Sequence, residues 1–430
     1  MKVNNREEFE KIDAFGIGAP NDGYAQYFTG DSFLKPLTEP GKCPVFLANV
    51  TFEPGCRNNW HIHHATKGGG QLLICTAGEG WYQEEGKEPV SLTPGTVITI
   101  PPEVKHWHGA KSDSWFSHIA VEVPGENTSN EWCEKVTEEE YKKVTLAETY
   151  TLANGVKIPK LGLGTWMIED GKTADAVKEA IQIGYRHIDT AQAYGNEAGV
   201  GEGVRNCGIP RENIFVTSKV AAEAKSYEAA AKSIDETLEK MGLDYIDMMI
   251  IHSPQPWAEW REEGKRYFAE NKEVWKALED AYKAGKVRAI GVSNFLKDDL
   301  ENILSDCEIK PMVNQILLHI GNTNTELMEF CKENGILVEA YSPIAHDEAL
   351  KSEKIVKMAE KYSVSTAQLC IRYAMELGAV ALPKTANPEH MKSNAAIGFQ
   401  ISKEDMEILK NITPFKNYGE YSAFPVFSGK

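Results

Sequence analysis

Four side chains downstream of residue 150, Asp189, Tyr194, Lys219 and His252, have the types and spacing to move a proton onto a carbonyl oxygen. Asp189 closes the apolar string "RHIDTA", Lys219 closes "FVTSKV", His252 follows "MMII", and Tyr194 lies just beyond Asp189. Tyrosine, with an ordinary pKa near 10, donates poorly at neutral pH. A neighbouring lysine cation is expected to lower that value by roughly 1–3. Asp189 would keep Lys219 charged, and His252 would orient or polarise the carbonyl. The hydride must come from a bound cofactor, because no side chain carries one. Taken singly, a buried Asp–Lys pair or a histidine at a strand end is usually structural. Together, at the ends of successive strands, they point to chemistry.

A second set lies upstream. Of 11 histidines, three fall in "NNWHIHH" and two in "KHWHGA". On a strand, residues i and i+2 share a face, so His61 and His63 point inward together while His64 points away as a surface residue. Gln71 begins the next strand after the "KGGG" turn. His106 follows "GTVITIPPEVK", where a strand re-enters the same lumen; His108 is again i+2, and His118 on "FSHIAVEV" lies beside the set. Three neutral imidazoles and an amide oxygen can bind a first-row divalent ion such as Fe, Mn, Zn or Ni with positions left open. The alternative is a metal-free pocket lined by the same side chains.

The elements that must hold these two sets differ in rhythm. Up to about Val123, short apolar or alternating strings ("VFLANVTF", "QLLICTA", "TVITIP") are separated by "EPG", "GEG" and "EEGKEP", which predicts an all-β domain, a sandwich or small barrel. "NEWCEKVTEEEYKKV" reads as a charged helix leading to a linker near Thr145. From Thr149 apolar strands alternate with amphipathic helices, eight units in all, which predicts a (β/α)8 barrel with its chemistry at the strand C-termini. A doubly wound sheet is the alternative, but no G-x-G-x-x-G follows an early strand. The expected division is 1–145 and 146–430.

Composition narrows the partners. The formal net charge is −17, spread along the chain, which disfavours nucleic acid and anionic membrane surfaces. No apolar run has the length of a membrane span and the first residues carry no apolar signal region, so a cytoplasmic location is expected. The 8 cysteines form no C-x-x-C pair and read as reduced core residues.

From about Tyr150 to Pro414 the chain resembles the aldo-keto reductases, through "GTW", "GYRHIDTAQAYGNEAGVG", "VTSKV", "GKVRAIGVSNF", "VNQI", "EAYSP" and "LPKTANPEHMKSN". The resemblance implies Tyr194 as acid/base supported by Asp189, Lys219 and His252. It also implies NADPH as cofactor (NADH possible) and a small-molecule carbonyl substrate. Gly164, Thr165, Trp166 and Asp189 would border the cofactor. Ser293, Asn294 and Gln315 would hold the nicotinamide amide, Tyr341 would stack on its ring and Ser342 would meet the pyrophosphate. Lys384 and Thr385 would grip the 2′-phosphate, with Asn394 near adenine. His390 stands where the family often has an arginine, which weakens the preference for NADPH. The aromatic tail "NYGEYSAFPVF" would border the substrate pocket, so its loss would alter substrate preference more than cofactor affinity.

From about Pro44 to Val123 the chain resembles the cupins. Gly55 through His63 fits G-x5-H-x-H, and Gly95 through His106 fits G-x5-P-x4-H, with Glu103 where the second motif has glycine. This implies His61, His63 and His106 as metal ligands with Gln71 as the fourth, in place of the usual glutamate. The cupin is expected to act on a related metabolite, or to serve only as a binding or homodimerisation module. A barrel that senses nucleotide state with little turnover is the remaining alternative.

Overall fold

Short strands punctuated by tight turns can bury their apolar faces only by pairing into sheets, and the N-terminal part of the chain does so. A computed structural model describes residues 2–39 and 42–429, in two compact units, residues 1–148 and 149–430. The expected boundary lies three residues earlier.

In the first unit, a six-stranded antiparallel sheet includes Leu47–Phe52, Gln71–Gly78, Val97–Ile100 and Phe116–Glu122. A second antiparallel sheet includes Gly80–Glu84, His61–His64 and His106–Ala110. Inward residues of both, among them Val50, Phe52, Leu73, Tyr82, Ala110 and Phe116, form one core. The alternation in Gln71–Gly78 is nearly complete, buried and half-buried residues taking turns, as a sheet with one face on the core requires. Glu103, at the position where glycine was expected, has φ of 69°, in the left-handed region. Its carboxylate accepts from the Ala65 N–H at 3.1 Å and pairs with His64, which ties the strained turn down.

One element differs from expectation. Ser129–Trp132 is not helical but a strand, antiparallel to His61–His64 with Trp132 opposite His61. The helix begins only at Glu138, behind a Thr137–Glu140 capping box, and ends at Thr145. Charge density in "EEEYKK" supports that helix, whereas the unpaired edge of the histidine strand captures the preceding residues.

In the second unit, Leu163–Gly164, His187–Asp189, Phe215–Val220, Met248–Ile251, Ile290–Ser293, Val313–Leu317, Leu337–Tyr341 and Val380–Leu382 pair in parallel in that order. Parallel bridges from Leu161 to Ala381 and from Gly164 to Lys384 join the eighth strand to the first. This is the (β/α)8 barrel. Its strands are almost wholly buried, as parallel strands covered by helices must be. The helix Glu197–Arg205, which follows the Tyr194 loop, contains three glycines. Glycine destabilises a helix by roughly 0.5–1 kcal/mol relative to alanine. Here it permits close approach: a Cβ on Gly201 would lie 2.1 Å from Met241 O, and one on Gly203 would lie 2.7 Å from Val177 Cβ. Among the described residues no helix is long and apolar enough to cross a membrane. Four cysteines are buried and none is in a disulfide; Cys43 is exposed.

Candidate functional site

Asp189 ends the second barrel strand, and Tyr194 lies in the single 3-10 turn that follows. Asn196 pins that turn to the first-strand loop: its amide donates to Thr165 O and Ile168 O at 2.9 and 3.0 Å, and it accepts from Thr190 Oγ1 at 2.7 Å. Lys219, on the third strand, donates to Asp189 Oδ1 and Thr190 O, both at 2.7 Å, and stands 3.4 Å from the Tyr194 hydroxyl. His252 follows the fourth strand, its ring edge-on to Tyr194 with centroids 5.6 Å apart and flanked by Trp257 at 5.0 Å.

The electrostatics differ from the sequence expectation in one respect. Burial raises the Tyr194 pKa by more than the Lys219 cation lowers it, so the phenol is held above its ordinary value. Desolvation dominates because Tyr194, itself half-buried, stands against the buried side chains of Asp189, Lys219 and His252. For Lys219 burial acts against the charge, but Asp189 and Tyr194 outweigh it and the net direction is up. Burial, then the Lys219 cation, holds His252 well below its usual range, a neutral imidazole. The cluster therefore presents a protonated phenol beside a fixed cation and a neutral ring that can donate one N–H.

These residues open on a cavity of about 800 Å³. Its wall includes Gly164, Trp166, Asp189, Tyr194, His252, Ser293, Asn294, Gln315, Tyr341, Ser342, Lys384, Thr385 and His390, so nearly all the expected residues come together. Lys219, Thr165 and Asn394 do not line it; Lys219 is wholly buried, bonded to Asp189. Thr165 is fully buried with its hydroxyl on Asp189 O at 2.9 Å, where it braces the second strand, and Asn394 is buried in the helix Pro388–Ala395. The polar wall is tightly ordered. Tyr341 OH donates to Asn294 Oδ1 at 2.7 Å, Asn294 Nδ2 donates to Ser293 Oγ and His252 O, and Ser293 Oγ donates to Gln315 O. Asn294 and Ser342 both hold positive φ, 64° and 49°, backbone strain of the kind that persists where surroundings over-determine it.

Residue-type reasoning overlooked two contributors, His346 and Glu339, and had singled out a third, the aromatic tail. His346 lines the cavity, bonded to Ser342 Oγ at 3.1 Å and stacked on Tyr421 with centroids 4.0 Å apart. The tail itself is ordered: Tyr418 OH meets His319 Nε2 at 3.0 Å, Phe424 packs edge-on to Trp166, and Phe427 is buried against His346 and Tyr341. Glu339, an acid within the apolar seventh strand, is wholly buried. A lone charge in "ILVEAYSP" was the legible signal for it.

In the first unit, His61, His63 and His106 each bring a ring nitrogen within 4.8 Å of the others, and all three are buried. Each Nδ1 faces an oxygen: His61 that of Asn59 O at 2.9 Å, His63 that of Asn130 Oδ1 at 2.8 Å, His106 that of Val104 O at 2.9 Å. An Nδ1 that donates to oxygen leaves Nε2 as the lone-pair nitrogen, the arrangement of metal-bound histidines. His63 Nε2, His106 Nε2 and Gln71 Oε1 are buried without a hydrogen-bond partner. Burial, then neighbouring imidazoles, holds His61 well below its usual pKa, and burial takes His106 to about 4, so both stay neutral. This donor set fits a divalent metal. His64 points away, as expected, but is not idle: it bridges Glu103 and Glu131 at 2.7 and 2.8 Å.

The aldo/keto reductase family model matches residues 160–414, more than half of the chain. This chain belongs to the aldo/keto reductase family. It is thus a carbonyl-reducing oxidoreductase, and a cupin domain model matches residues 48–121. The reductase part is 43% identical over 265 residues to the glyoxal reductase of Bacillus subtilis, covering 61% of this chain and 92% of that one. It is 41% identical to the 9,11-endoperoxide prostaglandin H2 reductase of Trypanosoma cruzi, covering 63% and 93%. Among solved structures, the Bombyx mori aldo-keto reductase in complex with NADP superposes with a TM-score of 0.58 at 29% identity, over 65% of this chain and 98% of that one.

Proposed function

We propose that the barrel reduces an aldehyde or ketone, keto sugars included, to the alcohol with NADPH, and that the cupin holds a divalent metal ion. The observation that carries the first reading is the Tyr194 hydroxyl 3.4 Å from a buried Lys219 ammonium, in a cavity whose wall also carries Lys384 and Thr385. Bound NADPH would supply the hydride. Tyr194 supplies the proton to the carbonyl oxygen, Lys219 stabilises the phenolate left behind, and Asp189 balances Lys219. His252 donates its N–H to the same oxygen and orients it. Ser293, Asn294 and Gln315 offer the amide-binding wall, and Tyr341 the ring beside it. Lys384 and Thr385 suit a 2′-phosphate, whereas His390, exposed at the rim, lacks the planar fork of donors an arginine would offer there.

A relative named for glyoxal makes dicarbonyls the first substrates to test, followed by keto sugars and aromatic aldehydes. The test follows NADPH oxidation by the full chain across that panel. Binding of NADPH without turnover on any member would favour a nucleotide sensor.

The cupin reading rests on the clustering of the three histidines and on His63 Nε2, His106 Nε2 and Gln71 Oε1, buried without a hydrogen-bond partner. His61, His63 and His106 would ligate, with Gln71 as a neutral fourth donor, and the ion would serve as a Lewis acid. Metal analysis of gently purified protein tests this; a metal-free product that takes up no added Mn, Fe, Zn or Ni would leave a plain pocket.

A further inference from the structure

The only acidic residue on the seventh barrel strand, Glu339, is fully buried. A buried carboxylate costs several kcal/mol unless it is paired, so its surroundings decide its charge. On the sixth strand Gln315 stands beside it in register. Gln315 Nε2 donates to Glu339 Oε2 at 2.9 Å and to Asp189 Oδ2 at 2.8 Å. Both amide hydrogens are thereby engaged, and the amide oxygen is the end left for the cavity that Gln315 lines.

Glu339 Oε1 has no hydrogen-bond partner. The second strand turns Asp189 and His187 toward it, and the third strand turns Lys219. His187 Nε2 is 3.9 Å away, but that ring bonds Thr217 Oγ1 and is neutral, its pKa held to about 3 by burial and Lys219. The sixth strand contributes only the neutral Gln315, and the eighth, Val380–Leu382, carries no titratable group. Lys219 thus faces one carboxylate that it bonds, Asp189, and a second that it does not. Burial and the Asp189 charge push Glu339 up to about 8.

We propose that Glu339 works as a neutral carboxylic acid and is a positioning residue of the reductase site. It locks the Gln315 amide with its oxygen toward the seat of the nicotinamide amide, and leaves Asp189–Lys219 as the only ion pair beneath Tyr194. The inference rests on the reductase reading above in one respect, that Gln315 meets the nicotinamide.

The full chain is compared with Glu339→Gln, which keeps a neutral acceptor of the same shape, and Glu339→Leu, which removes it. NADPH affinity is read from quenching of tryptophan fluorescence, alongside kcat and the pH profile of kcat/KM. Glu339→Gln should bind NADPH within about twofold of wild type and superimpose on its pH profile between pH 6 and 7. Glu339→Leu should weaken NADPH binding about tenfold, the loss of one buried hydrogen bond. Wild-type affinity in a folded Glu339→Leu overturns the proposal, as does a Glu339→Gln profile displaced near neutrality, because removing a charge would displace it and removing a neutral acid would not. If Glu339→Leu does not fold, the Glu339→Gln comparison decides alone. A wild type that binds no NADPH overturns the reductase reading itself; a binding wild type with variants that break the pattern overturns only the role of Glu339.

Discussion

Tyr194 is the residue on which the chemistry turns, and the structure revises how it works. The sequence suggested a phenol made acidic by Lys219; in the barrel, burial raises its pKa instead. A protonated phenol is the form a reduction needs, with Lys219 stabilising the anion that develops as the proton leaves. Tyr194→Phe should keep NADPH binding, because the ring remains, and should lower kcat about a hundred- to ten-thousand-fold. Steady-state kinetics giving near-wild-type kcat would remove Tyr194 from the mechanism. Glu339 makes a separate prediction about stability. Its folded pKa of about 8 lies above the ordinary 4.5. Between those values the unfolded chain has released a proton that the folded chain keeps, so stability falls as pH rises through that window. The fall amounts to roughly 5 kcal/mol at most and levels off above it. Glu339→Gln lacks this dependence. The melting temperature of the variant should therefore gain on wild type between pH 5 and 8, and a constant gap would mean that the carboxyl is already ionised.

At the scale of elements, two segments decide the walls of the two sites. The strand Ser129–Trp132 pairs with the histidine strand and delivers Asn130 to His63 Nδ1. Sequence pattern could not find it, because "SNEW" has no alternation of its own and becomes a strand only by filling an open edge. The tail is the second. Its rings were legible as too apolar for a free end, and the sequence expectation set its role at the substrate side. Phe427 also rests on His346 and Tyr341, and Tyr421 stacks on His346. Truncation after Thr413 should therefore raise the KM for NADPH several-fold as well as change the ranking of carbonyl substrates. Identical values of both for full-length and truncated protein would leave the tail without a part in catalysis.

At the scale of the whole molecule, one chain carries two candidate sites on two compact units. The metal donors come from the first and the carbonyl machinery from the second. The double variant His61→Ala/His106→Ala removes two of the proposed ligands, and should lose the bound metal while NADPH-linked turnover stays within about twofold of wild type. Metal content and turnover are measured on the same preparation. A metal-free variant that also lost turnover would tie the ion to the reductase reaction.

The sequence by itself determined the architecture and most of the reductase site. Eight repeats of strand and helix leave a parallel barrel as the economical closure, and strand-end residues one repeat apart then converge, as Asp189, Lys219 and His252 do. It also determined the inward face of His61 and His63, because strand periodicity is two. Tertiary structure alone decided what these groups feel. The charge state of Tyr194, the burial of Glu339 beside Asp189, and the Asn130 oxygen that meets His63 Nδ1 all depend on residues far apart in the chain. Periodicity says which way a side chain points; its electrostatics come from whatever packs against it.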